Sequence, residues 1–283
     1  MPLPQTCQLL VPAPMDSPPI RSPQAVHSFI AERVSGLELV EIGTRNGDGM
    51  NCFTHHAKHA TAIEYAPNYC KSLNLASQKI EQSHPGKGFS VTCSDYRKGG
   101  VLDADIITWW EQPPLWNVEA LQTAYREQRA GRVRKNAEAI LLFDTKFHVD
   151  LAGWKDLCPL AGWSVRIPFN EKAKCLRDNG GKSPGGPATC DRAHGFFIVA
   201  GFPVKSVQRM GTVTSDEKKL CEKRHRQGHK DFTNTTSGWQ LYTEPWYHRN
   251  GASGESRSPS IFDGLFGKWF KKSEAAVQRS MLQ

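Results

Sequence analysis

"LELVEIGTRNGDG", residues 37 to 49, is an apolar run that meets an acid at Glu41 and then breaks into Gly43, Gly47 and Gly49. Alternating apolar residues up to Ile42 predict a strand over 37–43, and the glycines end it abruptly. Glycine there lets the backbone turn sharply and approach a ligand where a Cβ would clash. It also opens the next helix, whose free N–H groups face the same side.

Outward from this stretch the pattern repeats. Apolar runs predict six further strands, at 60–65 ("ATAIEY"), 89–94 ("FSVTCS"), 104–110 ("ADIITWW"), 138–144 ("EAILLFD"), 163–169 ("WSVRIPF") and 194–203 ("HGFFIVAGFP"). Helix-forming segments such as "PNYCKSLNLASQKIEQ" and "NVEALQTAYREQRAG" separate the first five, the mark of βαβ crossovers. No helix is expected between the last two strands. Their glycine- and proline-rich link, 170–193, predicts an antiparallel hairpin with a long flexible loop. The expected class is α/β: a doubly wound, mainly parallel seven-stranded sheet with a terminal antiparallel hairpin and helices on both faces. Upstream, "SPQAVHSFIAERVSG" predicts a helix capped at Ser22, with Pro23 at its first position, an apolar face of Ala25, Val26, Phe29, Ile30 and Val34, and Gly36 as its stop.

Three regions result: a leader at 1–21, the α/β domain at 22–203 and a tail at 204–283. The leader is proline-rich, and is expected to be extended, clipped to the core or mobile. It has no basic n-region, and no apolar stretch reaches the roughly 18 residues of a membrane helix, so neither export nor a membrane span is expected. Eight cysteines without a C-x-x-C pair predict reduced thiols and a cytoplasmic or nuclear setting. The formal charge is +8, and most of it falls in the tail, where 14 Lys and Arg face 8 Asp and Glu. The run "CEKRHRQGHK" suits nucleic acid or an acidic protein by counterion release. Without interleaved aromatics, a solvated tail is the default reading. Near 260–280, Ile261, Phe262, Leu265, Phe266, Trp269 and Phe270 stand at helical spacing beside lysines, an amphipathic helix for the core, a partner or an anionic surface.

Spacing separates the possible ligands of the glycine loop. A dinucleotide fingerprint is G-x-G-x-x-G with pyrophosphate on the helix N-terminus. Here the spacing from Glu41 to Gly49 is E-x-G-x-x-x-G-x-G. An acid two residues before the first glycine repels phosphate and suits a ligand with an ammonium group.

This acid-and-glycine spacing resembles the first motif of the class I S-adenosylmethionine-dependent methyltransferases, and the element order over roughly 22–203 resembles their domain. The resemblance implies S-adenosyl-L-methionine as cofactor, with Glu41, Gly43, Gly47 and Gly49 in the binding loop. It implies Glu64, followed by Tyr65, at the ribose hydroxyls, and Asp95 at the adenine amino group with Tyr96 against the ring. The acceptor would meet the methyl group after the fourth strand, in "DIITWWEQPPLW". There Trp109, Trp110 and Trp116 can wall a dry pocket, while Glu111 or Gln112 orients the acceptor or takes its proton. "QPPLW" departs from the N-P-P-Y motif of amide and nucleobase methyltransferases at Gln112 and Leu115, which disfavours those acceptors. Asp144, ending the fifth strand, is an additional acid or a metal ligand in some relatives; no metal is expected here.

Other constellations carry less. "GGKSPGG" at 180–186 lacks the spacing and the helix of a phosphate loop. Cys221, His225 and His229 share a helix face but lack a fourth zinc ligand. Cys52, His55, His56 and His59 follow the glycine loop, with surface positions expected. The reading is a methyltransferase acting on an oxygen or nitrogen of a small-molecule acceptor. The alternatives are an RNA or protein methyltransferase using the basic tail, or a non-catalytic S-adenosylmethionine-binding scaffold.

Overall fold

The computed structural model describes residues 6–12, 15, 24–99, 103–110, 114–144, 160–170, 172–178, 180–182, 190, 194–205, 213–220, 223 and 240–242. All of them belong to one compact unit, Met1–Tyr247. Ser22, Pro23, the run around Cys221, His225 and His229, and the amphipathic segment near 260–280 lie outside the described residues.

β1 (Glu38–Ile42), β2 (His59–Glu64), β3 (Ser90–Cys93), β4 (Ile106–Trp109) and β5 (Glu138–Asp144) form the parallel part of the sheet. β6 (Trp163–Asn170) and β7 (His194–Pro203) form an antiparallel hairpin, and β7 also runs antiparallel to β5 from Glu138↔Pro203 to Asp144↔Phe197. The full order is β3-β2-β1-β4-β5-β7-β6-β8. From β1 the chain steps outward to β3, turns through the short α5 (Tyr96–Gly99) and then returns to lay β4 on the other side of β1. That reversal opens a crevice at the carboxyl ends of β1 and β4.

The expectation of seven strands is corrected to eight. β8 (Gln240–Tyr242) adds to the free edge of β6, pairing Val165 with Leu241. Three residues are too few for alternation to show in a sequence, and the unpaired backbone of an edge strand supplies what the pattern lacks.

Alternation along β1 assigns its two faces. Val40 and Ile42 join Ile107, Trp109, Leu141 and Phe202 under Ala120, Leu121 and Ala124 of α6 (Pro114–Arg129). Leu39 joins Ile106, Ile140 and Val199 on the other face. There it packs beneath Val26 and Ile30 of α2 (Gln24–Arg33), Met50 and Phe53 of α3 (Asp48–Phe53) and Leu73 of α4 (Pro67–Ser83). Gly36, at φ 72°, follows α2 as the sequence implied. At the amino ends of the strands the acids are neutralised: Arg134 binds Glu38, Asp103 and Asp105, while Arg33 pairs with Glu138 at 2.8 Å.

The thiol expectation fails. Cys7 and Cys52 are disulfide-bonded, as are Cys175 and Cys190, so the argument from reduced thiols to a cytosolic setting falls away. Pairs separated by 45 and 15 residues leave no local spacing to read. The first bond fastens the leader, which forms α1 (Thr6–Leu10) on α2 and α3. The Cys7 N–H donates to Ser28 Oγ at 2.9 Å, Gln24 Nε2 donates to the Val11 carbonyl at 2.9 Å, and the Met15 N–H reaches Asp48 Oδ1 at 2.9 Å. The second bond lies in the link between β6 and β7, where α7 (Lys172–Asp178) is a helix that the sequence did not lead one to expect. Among the described residues no helix is long and apolar enough to cross a membrane.

Candidate functional site

A cleft of about 330 Å³ opens at the carboxyl ends of the strands, where the strand order reverses. β1 contributes Ile42 and Gly43, β2 contributes Ile63 and Glu64, and Ser94, Asp95 and Tyr96 follow β3. Trp110 follows β4, and Arg45, Tyr65, Ala66, Tyr69, Arg97 and Glu119 complete the wall. Five of the sequence-derived cofactor residues therefore meet in one place: Gly43, Glu64, Tyr65, Asp95 and Tyr96.

Glu64 is the most constrained of them. The residue is 4% exposed, and the backbone supplies donors to its carboxylate: Arg45 N–H to Oε2 at 2.8 Å, and Tyr65 and Ala66 N–H to Oε1, both at 2.9 Å. Three donors occupy three of the roughly four acceptor positions of a carboxylate, leaving one at Oε2. This arrangement ties the glycine loop to the start of α4. Arg45 takes the left-handed conformation, φ 53°, to present its N–H to Glu64. Its guanidinium donates to the Tyr69 hydroxyl at 3.2 Å.

Asp95 reaches the cleft already engaged. Arg97 grips both carboxylate oxygens, Nη2 to Oδ2 at 2.7 Å and Nε to Oδ1 at 3.0 Å, and its own N–H adds a bond to Oδ1 at 2.9 Å. The side-chain bond from Arg97 is the main cause that holds the Asp95 carboxyl below the usual carboxylate range. Tyr96 is buried with the core on the α6 face, and Tyr65 is largely exposed.

Glu41 lies apart from the cleft lining. It is 1% exposed, and Oε2 accepts the indole N–H of Trp110 at 2.7 Å. The acid of the glycine motif therefore anchors the tryptophan that walls the cleft. His27 completes this anchor from α2, its ring edge-on to Trp110 at 5.1 Å and to Phe53 at 5.6 Å. Burial pushes the His27 imidazole down to about 3, so it packs as a neutral ring.

The later glycines serve close packing. Gly47 sits at φ 83°, and a Cβ there would come within 2.6 Å of Leu73 in α4. At Gly49 a Cβ would meet Phe53 at 2.8 Å and Glu41 Oε2 at 3.1 Å. Neither lines the cleft; Gly43, at φ 77°, does.

Trp110 is the catalytic candidate that the structure places at the cleft, whereas Glu111 and Gln112 lie outside the described residues. Trp109 is fully buried core. The side chains of Leu115, Trp116 and Asp144 also lie outside the described residues, though Asp144 ends β5 as expected. Cys52 is in a disulfide, and none of His55, His56 and His59 lines the cleft. The His55 ring meets His84 edge-on at 5.0 Å, and burial lowers its pKa. No group of three metal-binding side chains occurs among the described residues. Arg45 and Arg97 are cleft residues that the motif reading missed. Arg45 follows Gly43 and Arg97 follows Asp95 by the same short step, and an arginine inside a glycine loop is the one signal that was legible.

No protein-family model and no curated protein matches the chain. Among solved structures it is similar to the 23S rRNA methyltransferase ErmE, at 14% identity and TM-score 0.40, over 79% of this chain and 80% of that one. It is similar to TrmK of M. capricolum, solved with S-adenosyl-homocysteine, at 14% identity and TM-score 0.41, over 63% and 67% of the two chains. A putative RNA methyltransferase from Pyrococcus horikoshii gives 9% identity and TM-score 0.45, over 70% and 95%. The fold is read from the sheet itself: a doubly wound β3-β2-β1-β4-β5 run, a glycine loop after β1 and a closing antiparallel β7-β6 hairpin. These make it a doubly wound α/β fold closed by an antiparallel hairpin, the arrangement that the sequence resemblance implied.

Proposed function

We propose that this chain is an S-adenosyl-L-methionine-dependent methyltransferase that moves a methyl group to an oxygen or nitrogen of a small-molecule acceptor. The observation that carries this reading is Glu64: a buried carboxylate at the tip of β2, oriented by three backbone N–H groups, with an acceptor position left for a ribose hydroxyl. Gly43 brings bare backbone to the same wall, and Arg45 offers a guanidinium suited to the carboxylate of an amino-acid ligand. Asp95 and Tyr96, on the same cleft, are the residues assigned to the adenine end in this reading. The cleft volume is at the lower end of small-ligand sites, roughly 300–1,000 Å³.

Bound there, S-adenosylmethionine supplies an electrophilic methyl group, so the protein's task is positioning and exclusion of water. Trp110 suits this task, because its N–H is committed to Glu41 and its ring is free of donors that would hold water in the cleft. Glu111 and Gln112 follow it directly in the chain. Their proposed roles are to orient the acceptor and to take the proton that it sheds.

A second reading, methylation of RNA or protein, is favoured by arginines over tyrosines: Arg45 over Tyr69 at 5.5 Å and Arg97 over Tyr96 at 5.8 Å, with the basic tail as an electrostatic anchor. Turnover separates the readings. Methyl-labelled S-adenosylmethionine is offered with phenols, catechols and amines in one series and RNA or protein in another. Label transfer to a small acceptor, reduced in Trp110→Ala, is expected. Label transfer to macromolecules alone, flattened in salt dependence by deletion of 204–283, supports the second reading. Cofactor binding without S-adenosylhomocysteine from any acceptor means a scaffold.

A further inference from the structure

Two cysteines among the described residues carry no disulfide, Cys70 and Cys93, and both lie beside Glu64. Cys93 ends β3, the edge strand of the sheet; it is exposed and pairs in register with Glu64. Cys70 lies in the first turn of α4, 3% exposed, and its thiol donates to the Glu64 carbonyl at 3.1 Å. Both cysteines thus adjoin the same residue, Cys93 as its Cα partner in the strand ladder and Cys70 through its own hydrogen bond. The Cys93 side chain lies close enough to Cys70 to help raise its thiol pKa.

We propose that Cys70 and Cys93 form a dithiol oxidation site beside the cleft residue Glu64, with a low-molecular-weight disulfide as its co-substrate. Solvent reaches Cys93, so the exchange begins there. The Cys93 thiolate attacks one sulfur of RS–SR, forming the mixed disulfide and releasing a thiolate that takes up the proton Cys93 lost. Cys70 then attacks the Cys93 sulfur. The bond to R–S breaks, and the Cys70 proton passes to the departing thiolate. Two S–H bonds and one S–S bond are consumed, one protein disulfide and two R–SH molecules form, and the chain loses the two electrons that RS–SR gains. Burial, aided by the contact with Cys93, pushes the Cys70 thiol up to about 12, so the second step is the slow one and quickens as pH rises. Oxidation removes the S–H donor from the Glu64 carbonyl and ties the start of α4 to the end of β3. The Tyr65 and Ala66 N–H groups that hold the Glu64 carboxylate lie in the chain between Glu64 and the start of α4. The effect on the cleft's ligand rests on the cofactor reading above; the disulfide itself does not.

The test treats the full chain with glutathione disulfide, blocks remaining thiols and maps the peptides. A linked Cys70–Cys93 peptide is expected in the wild type and not in Cys93→Ser. In Cys70→Ser glutathione should remain on Cys93. Oxidation should weaken S-adenosylhomocysteine binding by about fivefold, the equivalent of one neutral hydrogen bond, and reduction should restore it. Persistent glutathione on Cys93 of the wild type, or no linked peptide at excess oxidant, overturns the site. A linked peptide with unchanged binding overturns its coupling to the cleft. A linked peptide in a protein that never binds S-adenosylhomocysteine upholds the dithiol and removes the cofactor reading instead.

Discussion

Replacing Cys7 and Cys52 together by alanine tests how the leader is held. Both residues are fully buried, as are Cys175 and Cys190, so truncation to alanine removes a similar amount of packing at either site. The two bonds then differ mainly in the loops they close, which span 45 and 15 residues. Loop-closure entropy assigns about 3 kcal/mol to the shorter and about 4 kcal/mol to the longer, a difference of about 1 kcal/mol fixed by the threefold ratio alone. Equilibrium unfolding in guanidinium chloride of the oxidised wild type and both double-alanine variants measures each loss. The Cys7→Ala/Cys52→Ala variant should be the less stable of the two. Equal losses, or a larger loss at Cys175 and Cys190, would refute the reasoning, and no loss at Cys7 and Cys52 would mean that the leader is not fastened there.

Three further outcomes follow from the site. Trp110→Phe keeps the ring but takes the indole donor from a carboxylate that is 1% exposed, so unfolding experiments should show a loss of about 1.5–3 kcal/mol. His27 has a folded pKa of about 3 against 6.5 when exposed, so below pH 6.5 the unfolded chain takes up a proton that the folded chain refuses. Stability should therefore fall as the pH drops from 6.5 towards 3, by up to about 1.4 kcal/mol per unit, and be indifferent to this group above 6.5. Denaturant midpoints at pH 7, 6 and 5 should show a shallower slope in His27→Leu, and an unchanged slope would count against the neutral buried ring. Gly47→Ala forces a left-handed alanine against Leu73, with an expected loss of about 1–2 kcal/mol measurable by thermal unfolding.

Most of the sheet was legible because each strand is an apolar run bounded by turn chemistry: strands β1 to β7 begin and end within about two residues of the runs that predicted them. The reversal between β1 and β4 then brought Gly43, Glu64, Asp95 and Trp110 together, a meeting that the resemblance to the methyltransferase motifs implied. What escaped depends on pairings between distant residues. The grip of Trp110 on Glu41 spans 69 residues, and the Cys7–Cys52 bond joins a leader that reads as aperiodic to a helix of the core. Arg97 escaped for another reason. An arginine two residues beyond an acid reads as a solvated charge, and only the turn after β3 shows that it clasps Asp95.

The central claim is that Glu64 receives a ribose hydroxyl of S-adenosylmethionine, and calorimetric titration of wild type and Glu64→Gln with S-adenosylmethionine, S-adenosylhomocysteine and NAD tests it most directly. Micromolar binding of the first two and none of NAD is expected. The variant, with its fold checked by circular dichroism, should bind roughly 10- to 150-fold more weakly, the value of one hydrogen bond to a charged group. Binding of NAD alone, no binding at all, or equal affinity in the variant would contradict the account.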